Sequence, residues 1–364
     1  MRKVYLSLGS NKEDRVMYLQ LAIGLIHYRV GTVVQISSLV ETPAWGFDGA
    51  SFYNACIAIE TSLSPQEVLD ELLNIEQYLG RKRNYSLGYS DRTIDLDILF
   101  YEDEIIALPH LTIPHANLHK RNFVLAPFEE IAAEAQHPIL RKTVKQLLKE
   151  SPDNAKVTFI NHALFLPEKR NFIAIEGNIG VGKTSFTHKL KEALNGTILL
   201  ENFYDNPYLA DFYQNPEKYA LKVETAFLED RIQQLNRFFK QTNRLPIVAD
   251  FSLEKSLLFA SQNLKEKDLI AYREAYLNLS KNLSQPDVVL YLDQKIPQLQ
   301  RNIEKRGRSF ERDISDAYLQ KIEQGYKEWQ AKSQLNIKVL NTKGIDFVEN
   351  PSAFYSLLLA FLRC

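Results

Sequence analysis

The sequence predicts two domains in tandem: a ferredoxin-like α+β domain, followed by an α/β domain whose parallel sheet is flanked by helices. Three observations carry this prediction. The 364-residue length is more than one core ordinarily serves. Residues 1–106 alternate extended and helical stretches in the order β-α-β-β-α-β. From Phe172 onward, short apolar runs alternate with helices, the pattern of a parallel sheet covered on both faces. The expected boundaries are residues 1–160 for the first domain, 161–170 for a linker and 171–364 for the second.

Taken in order, residues 1–10 read as a strand ending in a Gly-Ser-Asn turn. DRVMYLQLAIGLIHYR has helical periodicity through Leu19, Ile23 and Ile26. TVVQISSLVETP and SFYNACIAIET read as strands joined by a loop around Pro43 to Gly49. In SPQEVLDELLNIEQYLG, Ser64 is placed to cap a helix, with Pro65 first and Glu67 completing a capping box. RTIDLDILFYEDEII is again extended, and residues 114–150 add a loop and helical material. The second sheet is expected from FIAIEG, ILLE, PIVAD, VVLYLD and IKVLN, with the apolar tail as a packed terminal helix.

Composition excludes several classes. Hydrophobic residues at 45% and charged residues at 24% fit a soluble globular protein. A net charge of −1 supplies no global field for nucleic acid or an anionic membrane. The two cysteines, Cys56 and Cys364, cannot form a disulfide framework, and a reducing cytoplasm is expected. No signal peptide is expected, and no stretch reaches the roughly 18 apolar residues of a membrane span. His110, His119 and His137 lack metal-ligand spacing and read as ordinary surface or loop residues, His162 as a linker residue, and Tyr326 and Trp329 as core.

Two segments carry chemistry. GNIGVGKTS fits G-x-x-x-x-G-K-[ST] between an apolar strand and a helix. Gly177, Asn178, Gly180, Gly182 and Ser185 belong to a loop whose backbone wraps phosphates. Lys183 reaches the β- and γ-phosphates, and Thr184 holds Mg²⁺. TKGID is one residue too long for the guanine reader of a GTPase, and no Asp-x-x-Gly switch follows. A small-molecule kinase fits better: Glu201 ends a strand as a candidate general base, and EKRGRSFE gathers cations into a candidate lid. Glu224 and Arg231, seven apart in a helical run, share a face able to read a planar base.

In DRTIDLDILF, Asp95 and Asp97 share one face of a strand, together with Thr93. Two carboxylates so close repel, and a divalent cation relieves the repulsion. The same spacing also fits an edge strand that uses inward charges against aggregation.

From about Asn171 to the C-terminus the chain resembles the deoxynucleoside kinase family, through GNIGVGKTS, LLENFYDNPYLADFYQNPEKY, ETAFLEDR, PDVVLYLD and KRGRSFE. The resemblance implies phosphoryl transfer from ATP to the 5′-hydroxyl of a deoxyribonucleoside. It implies Glu201 as general base and 3′-hydroxyl contacts at Tyr213 and Glu311. Glu224 would contact the base, Arg231 the substrate and phosphate, and Arg306 and Arg308 would lie in the lid. A homodimer through the kinase-domain helices is also implied. The chain departs from the family at Asp250-Phe251-Ser252, where an arginine is usual in the middle, and at Ser256, where many members carry aspartate.

Residues 3 to about 150 resemble the hydroxymethyldihydropterin pyrophosphokinase family of folate synthesis, through YLSLGSN, SSLVETPAWG, FYNACIAIET, IEQYLGRKR, DRTIDLDILF, LTIPH and RNFVLAPFEEI. The implied reaction transfers pyrophosphate from ATP to the 6-hydroxymethyl oxygen of the dihydropterin and releases AMP. Asp95 and Asp97 would hold two Mg²⁺ ions, with Arg81, Arg83 and Arg92 stabilising charge. His115 and Arg121 would contact ATP, with Glu76 close to it. Thr42, Pro43, Phe52, Asn54 and Phe123 would form the pterin pocket, and Tyr89 stands where a tryptophan often closes it. The sequence thus points to one protein with two ATP-dependent transferases. The second reading is that one half, the C-terminal one with its missing arginine, is a non-catalytic nucleotide-binding or regulatory module.

Overall fold

The computed structural model describes residues 1–82, 90–203, 206–242 and 244–363, so Arg83 and Tyr89 lie outside the described residues. The chain divides into two compact units, Met1–Lys169 with Arg363 and Arg170–Leu362.

The first unit is built around β1 (Arg2–Ser10), which buries Val4, Leu6 and Leu8 on one face. Helix α1 (Arg15–Arg29) follows, its first turn capped by the Asp14 carboxylate accepting from Met17 N at 3.0 Å. The expected single strand TVVQISSLVETP is two: β2 (Thr32–Ile36) and β3 (Leu39–Thr42). The break falls at Ser37 and Ser38. The Ser37 hydroxyl accepts from Cys56 N and donates to Ser38 O, both at 2.9 Å, so a side chain takes over bonds that the strand ladder would make. Next come β4 (Phe52–Thr61), α2 (Pro65–Tyr78) and β5 (Asp95–Tyr101).

The sheet order is β5-β1-β4-β3, with β2 also on β4 and every neighbouring pair antiparallel, which is the ferredoxin-like arrangement. RTIDLDILFYEDEII does not run on as one strand. Its end turns into β6 (Ile106–Leu108), which forms a separate hairpin with β7 (Leu111–Ile113). Helices α3 (Asn122–Ala132) and α4 (Val144–Lys149) supply the expected helical material. The VTFI segment is not a bare junction: β8 (Thr158–Ile160) pairs with β3 and extends this sheet.

The capping box on α2 is present in both directions, with Ser64 N donating to Glu67 Oε2 at 2.7 Å and Glu67 N to Ser64 Oγ at 3.4 Å. Ser64→Ala is expected to cost about 1 kcal/mol, read as a lower denaturant midpoint of the first unit with both activities intact.

The second unit comprises β9 (Phe172–Gly177), α5 (Lys183–Leu194), β10 (Thr197–Leu199), α6 (Leu209–Gln214), α7 (Pro216–Gln241), β11 (Ile247–Ala249), α8 (Lys255–Asn263), α9 (Glu266–Ser280), β12 (Val288–Asp293), α10 (Ile296–Arg306), α11 (Asp316–Lys332), β13 (Ile337–Asn341) and α12 (Pro351–Leu362). The parallel sheet runs β10-β11-β9-β12-β13. Strands β9, β11 and β12 are buried throughout or nearly so, as expected of a sheet covered on both faces. Tyr326 is fully buried and packs on Trp329, as expected of core residues. His137 is a buried loop residue rather than a surface one: its Nδ1 accepts from Ile139 N and Leu140 N at 3.2 Å.

Candidate active sites

The first site follows from strand register. Asp95 lies opposite Gly9, and Gly9 opposite Asn54; one pleat on, Asp97 lies opposite Ser7. These side chains therefore rise in rows from one face of the sheet. A Cβ on Gly9 would stand 2.9 Å from Asn54 Oδ1, so a larger residue there would displace the Asn54 amide. The face forms the floor of a cavity of about 650 Å³. Thr42, Pro43, Phe52, Asn54, Arg81, Arg92, Asp95, Asp97, His115, Arg121 and Phe123 all line it, so the expected residues converge.

The charges in this cavity are organised. Arg81 is ion-paired to both Glu76 and Asp95, and Arg92 Nε lies 3.3 Å from Asp95 Oδ2. Glu76, expected close to ATP, is 1% exposed and does not line the cavity. Its carboxylate accepts from Leu96 N at 2.8 Å and grips Arg81, so it fixes β5 and a cation of the cavity wall from beneath.

Asp97 has no hydrogen-bond donor among the described residues. Burial and the neighbouring Asp95 push its carboxyl up to about 7, against the pull of Arg121 and Arg81. Burial, then Arg121, lowers His115 to about 4 and keeps its ring neutral. Two carboxylates on one strand face, one of them without a donor, fit the oxygen ligands of Mg²⁺, which uses one or two carboxylates plus phosphates. Among the described residues no group of three or more His, Cys, Asp or Glu is placed to hold a metal.

Three wall features were not expected from the sequence. Trp45 lines the cavity with Arg121 stacked 4.5 Å from its ring centroid. His110 also lines it. Asn11 ties the rim together: its amide donates to Ala50 O at 3.1 Å and Asp91 Oδ1 at 2.5 Å, and it accepts from Arg92 N at 2.8 Å. The SN of YLSLGSN was the available signal. Asn54 Nδ2 donates to Thr42 Oγ1 at 3.1 Å, which sets the amide's orientation.

The second site lies at the carboxyl ends of β9, β10 and β11, where open α/β sheets bind ligands. The glycine loop leaves β9. Gly180 has φ 82°, and a Cβ on it would stand 2.7 Å from Leu299 O, so no other residue fits. Gly182 precedes α5, whose free amides face the phosphate position. Lys183 Nζ donates to Gly177 O at 2.8 Å and Asn178 O at 3.2 Å, lying across the loop. Thr184 Oγ1 donates to Asp250 Oδ2 at 2.7 Å, which aims the hydroxyl oxygen and suits it to a Mg²⁺ shell. Ser185 lies in the first turn of α5 and does not line the cavity.

Glu201, Tyr213, Glu224, Arg231, Arg306, Arg308 and Glu311 all line the same cavity as Lys183 and Thr184. Burial raises the Glu201 carboxyl, but Lys255 and Arg231 outweigh it and hold the group at about 2. Arg231 donates to Glu201 Oε1 from Nε at 2.8 Å and Nη2 at 2.5 Å, and from Nη1 to Ser256 Oγ at 2.7 Å. Glu201 N donates to Asp250 Oδ1 at 2.7 Å, fixing the strand end. Arg306 is ion-paired to Glu311, and Arg308 Nη1 lies 3.2 Å from the same carboxylate, so both lid arginines converge on the group expected at the 3′-hydroxyl.

Glu224 is buried, with Oε1 accepting from Asn263 Nδ2 at 2.8 Å and Oε2 without a partner among the described residues. Burial pushes its carboxyl up to about 7, against that hydrogen bond and Arg231. Phe227 joins the wall, with Arg231 5.0 Å from its ring centroid. Beneath the site, buried Glu176 accepts from Ser252 N at 2.7 Å, Ser252 Oγ at 2.9 Å and Tyr326 OH at 2.9 Å. Glu176, Asn263 and Lys255 were not singled out from the sequence, because their partners are distant in the chain.

Comparison with known proteins divides the chain at the same place. The family model described as 7,8-dihydro-6-hydroxymethylpterin-pyrophosphokinase (HPPK) matches residues 5–133, and the deoxynucleoside kinase model matches residues 173–360. The chain is 40% identical over 152 residues to a 2-amino-4-hydroxy-6-hydroxymethyldihydropteridine pyrophosphokinase of Aquifex aeolicus, covering 42% of this chain and 93% of that protein. It is 35% identical over 192 residues to a deoxyguanosine kinase of Bacillus subtilis, covering 50% of this chain and 92% of that protein. Among solved structures, a deoxyadenosine kinase from M. mycoides with bound dATP aligns with TM-score 0.47 and 25% identity, over 53% of this chain and 99% of that one.

Proposed function

The chain belongs to the HPPK family through its first unit and to the deoxynucleoside kinase family through its second, and from that premise we propose how its two sites work. It is a bifunctional ATP-dependent enzyme, a pyrophosphokinase of folate synthesis joined to a nucleoside kinase. The domains we assign are residues 1–160 and 171–364, with 161–170 as linker.

In the first site the 6-hydroxymethyl oxygen of the dihydropterin attacks the β-phosphorus of ATP. The bond to the α–β bridging oxygen breaks, and AMP leaves with that electron pair. Phe52 and Phe123 hold the flat pterin, and Asn54, oriented by Thr42, reads its edge. Arg81 and Arg92, with His115 and Arg121, take the phosphates and adenosine of ATP. The observation that carries this reading is one cavity with paired carboxylates on its floor, arginines beside them and aromatic rings on the wall.

In the second site the 5′-hydroxyl of a deoxyribonucleoside attacks the γ-phosphorus of ATP, its proton passes to Glu201, and ADP leaves. Tyr213 and Glu311 take the 3′-hydroxyl, while Arg306 and Arg308 screen the transferring group. Two Mg²⁺ on Asp95 and Asp97, and one on Thr184, would neutralise phosphate charge and align the oxygens. The non-catalytic alternative for this half is disfavoured by Lys183, Glu201 and Glu311 lining one cavity.

The base we propose is guanine. It offers two adjacent N–H donors on one edge, and the buried Glu224 has an oxygen without a partner. The name of the Bacillus subtilis relative agrees. Initial rates of ADP release with the four deoxynucleosides test this: deoxyguanosine is expected to have the highest kcat/KM and thymidine the lowest. Glu224→Gln, which replaces one acceptor oxygen with a donor, is expected to lower the preference for deoxyguanosine roughly tenfold, the value of about 1.4 kcal/mol. Thymidine phosphorylated best by the unaltered protein would contradict the assignment.

We also assign a cytoplasmic setting, on the buried free thiol of Cys56, and a homodimer through kinase-domain helices. Exposed Ile270 and Leu277, seven apart on α9, support the latter. No helix among the described residues is long and apolar enough to cross a membrane.

A further inference from the structure

Between Asp250 and Ser252 the chain carries Phe251, and that position supplies no cation to the kinase site. Phe251 is fully buried in an apolar cluster with Phe172, Leu199, Leu228 and Ile247. Four residues later the chain places Lys255 at the start of α8, and its side chain lines the same cavity as Lys183 and Thr184. Its Nζ lies 2.5 Å from Glu201 Oε2, while Arg231 holds Oε1.

We infer that Lys255 is a catalytic residue of the kinase site, a further cation that stabilises the transferring phosphoryl group beside the general base. The inference rests on Glu201 being the general base, as proposed above. A 5′-oxygen giving its proton to Oε2 must come within about 3 Å of it, and so stands beside the Lys255 ammonium. The phosphorus it attacks is one bond further on.

The neighbouring cations have partners of their own. Arg231 spends three N–H groups on Glu201 and Ser256. Arg306 and Arg308 are held by Glu311. Lys255 has three donors, and among the described residues Glu201 is its one hydrogen-bond acceptor. The remaining N–H groups are available to phosphate oxygens. Burial and the field of Lys255 lower Lys183 to about 8, in keeping with two ammonium groups that share one phosphate region.

In the step, the 5′-oxygen bonds to the γ-phosphorus and its proton passes to Glu201. The bond to the β–γ bridging oxygen breaks, and its electron pair leaves with ADP. Lys255 keeps its proton throughout.

The test is steady-state ADP release by Lys255→Met and Lys255→Arg in the full chain, with ATP, Mg²⁺ and deoxyguanosine. Met is expected to lower kcat about 100-fold, the scale of one lost charge-stabilising donor, with nucleoside KM within about threefold. Arg is expected to keep kcat within about tenfold of the unaltered protein. If Met melts before assay temperature, Lys255→Gln keeps a donor to Glu201 without the charge, and the same loss of about 100-fold is expected. A neutral variant that is folded and has kcat within threefold of the unaltered protein, or is altered in KM alone, would overturn the inference. Failure of the unaltered protein to release ADP from any deoxynucleoside would overturn the kinase reading and this one together, so the two failures are told apart.

Discussion

Asp97→Ala is expected to abolish AMP release with the dihydropterin and leave ADP release with deoxynucleosides unchanged. The carboxylate stands beside Asp95 on the cavity floor, where Arg81 and Arg92 pair with Asp95. The Mg²⁺-ligand role proposed for it would be worth several kcal/mol of charge stabilisation, and roughly 4 kcal/mol corresponds to a 10³-fold loss in rate. The fold should not suffer. Asp97 has no hydrogen-bond donor among the described residues, and alanine removes its repulsion with Asp95. A melting curve of the metal-free protein should therefore show a first unit at least as stable as before. Loss of both activities in a folded variant would contradict the independence of the two sites.

Glu201→Gln is the counterpart in the second unit. It removes the proton acceptor and is expected to lower kcat for nucleoside phosphorylation about 10³-fold, within the range for a general base. This variant carries a stability cost that Asp97→Ala does not. Arg231 and Lys255 are both buried against Glu201. An uncharged amide leaves two cations without their counter-charge, which costs roughly 3 kcal/mol. The rate should therefore be measured below the lowered melting point, with AMP release as the internal control. A folded Gln variant with kcat near that of the unaltered protein would remove Glu201 from its assigned role.

The sequence made legible what local pattern encodes. Period two in DRTIDLDILF placed Asp95 and Asp97 on one face, and the structure brings them to the cavity floor. The strand–glycine loop–helix pattern located Lys183 and Thr184, and Ser64, Pro65 and Glu67 announced the start of α2. Non-local pairing was not legible. The split at Ser37 depends on Cys56 across the sheet. The pairing of β8 with β3 joins residues more than a hundred positions apart, so VTFI looked like part of a connection. Glu76 showed no sign in the sequence of turning inward to Arg81 and Leu96. Phe251 was visible in the sequence but the cation beside Glu201 was not, because Lys255 meets Glu201 across 54 positions of chain. Periodicity fixes which way a side chain faces along its own element, and register and packing decide what it meets.

The central claim is that one chain carries two different ATP-dependent transferases. Nucleotide product analysis tests it most directly: the purified chain with Mg·ATP is given the 6-hydroxymethyl-dihydropterin in one reaction and each deoxynucleoside in others, and AMP and ADP are separated and counted. The prediction is AMP in equal amount to the pyrophosphorylated pterin, and ADP in equal amount to the deoxynucleoside monophosphate. No AMP above background with the pterin, or no ADP with any of the deoxynucleosides, would contradict it.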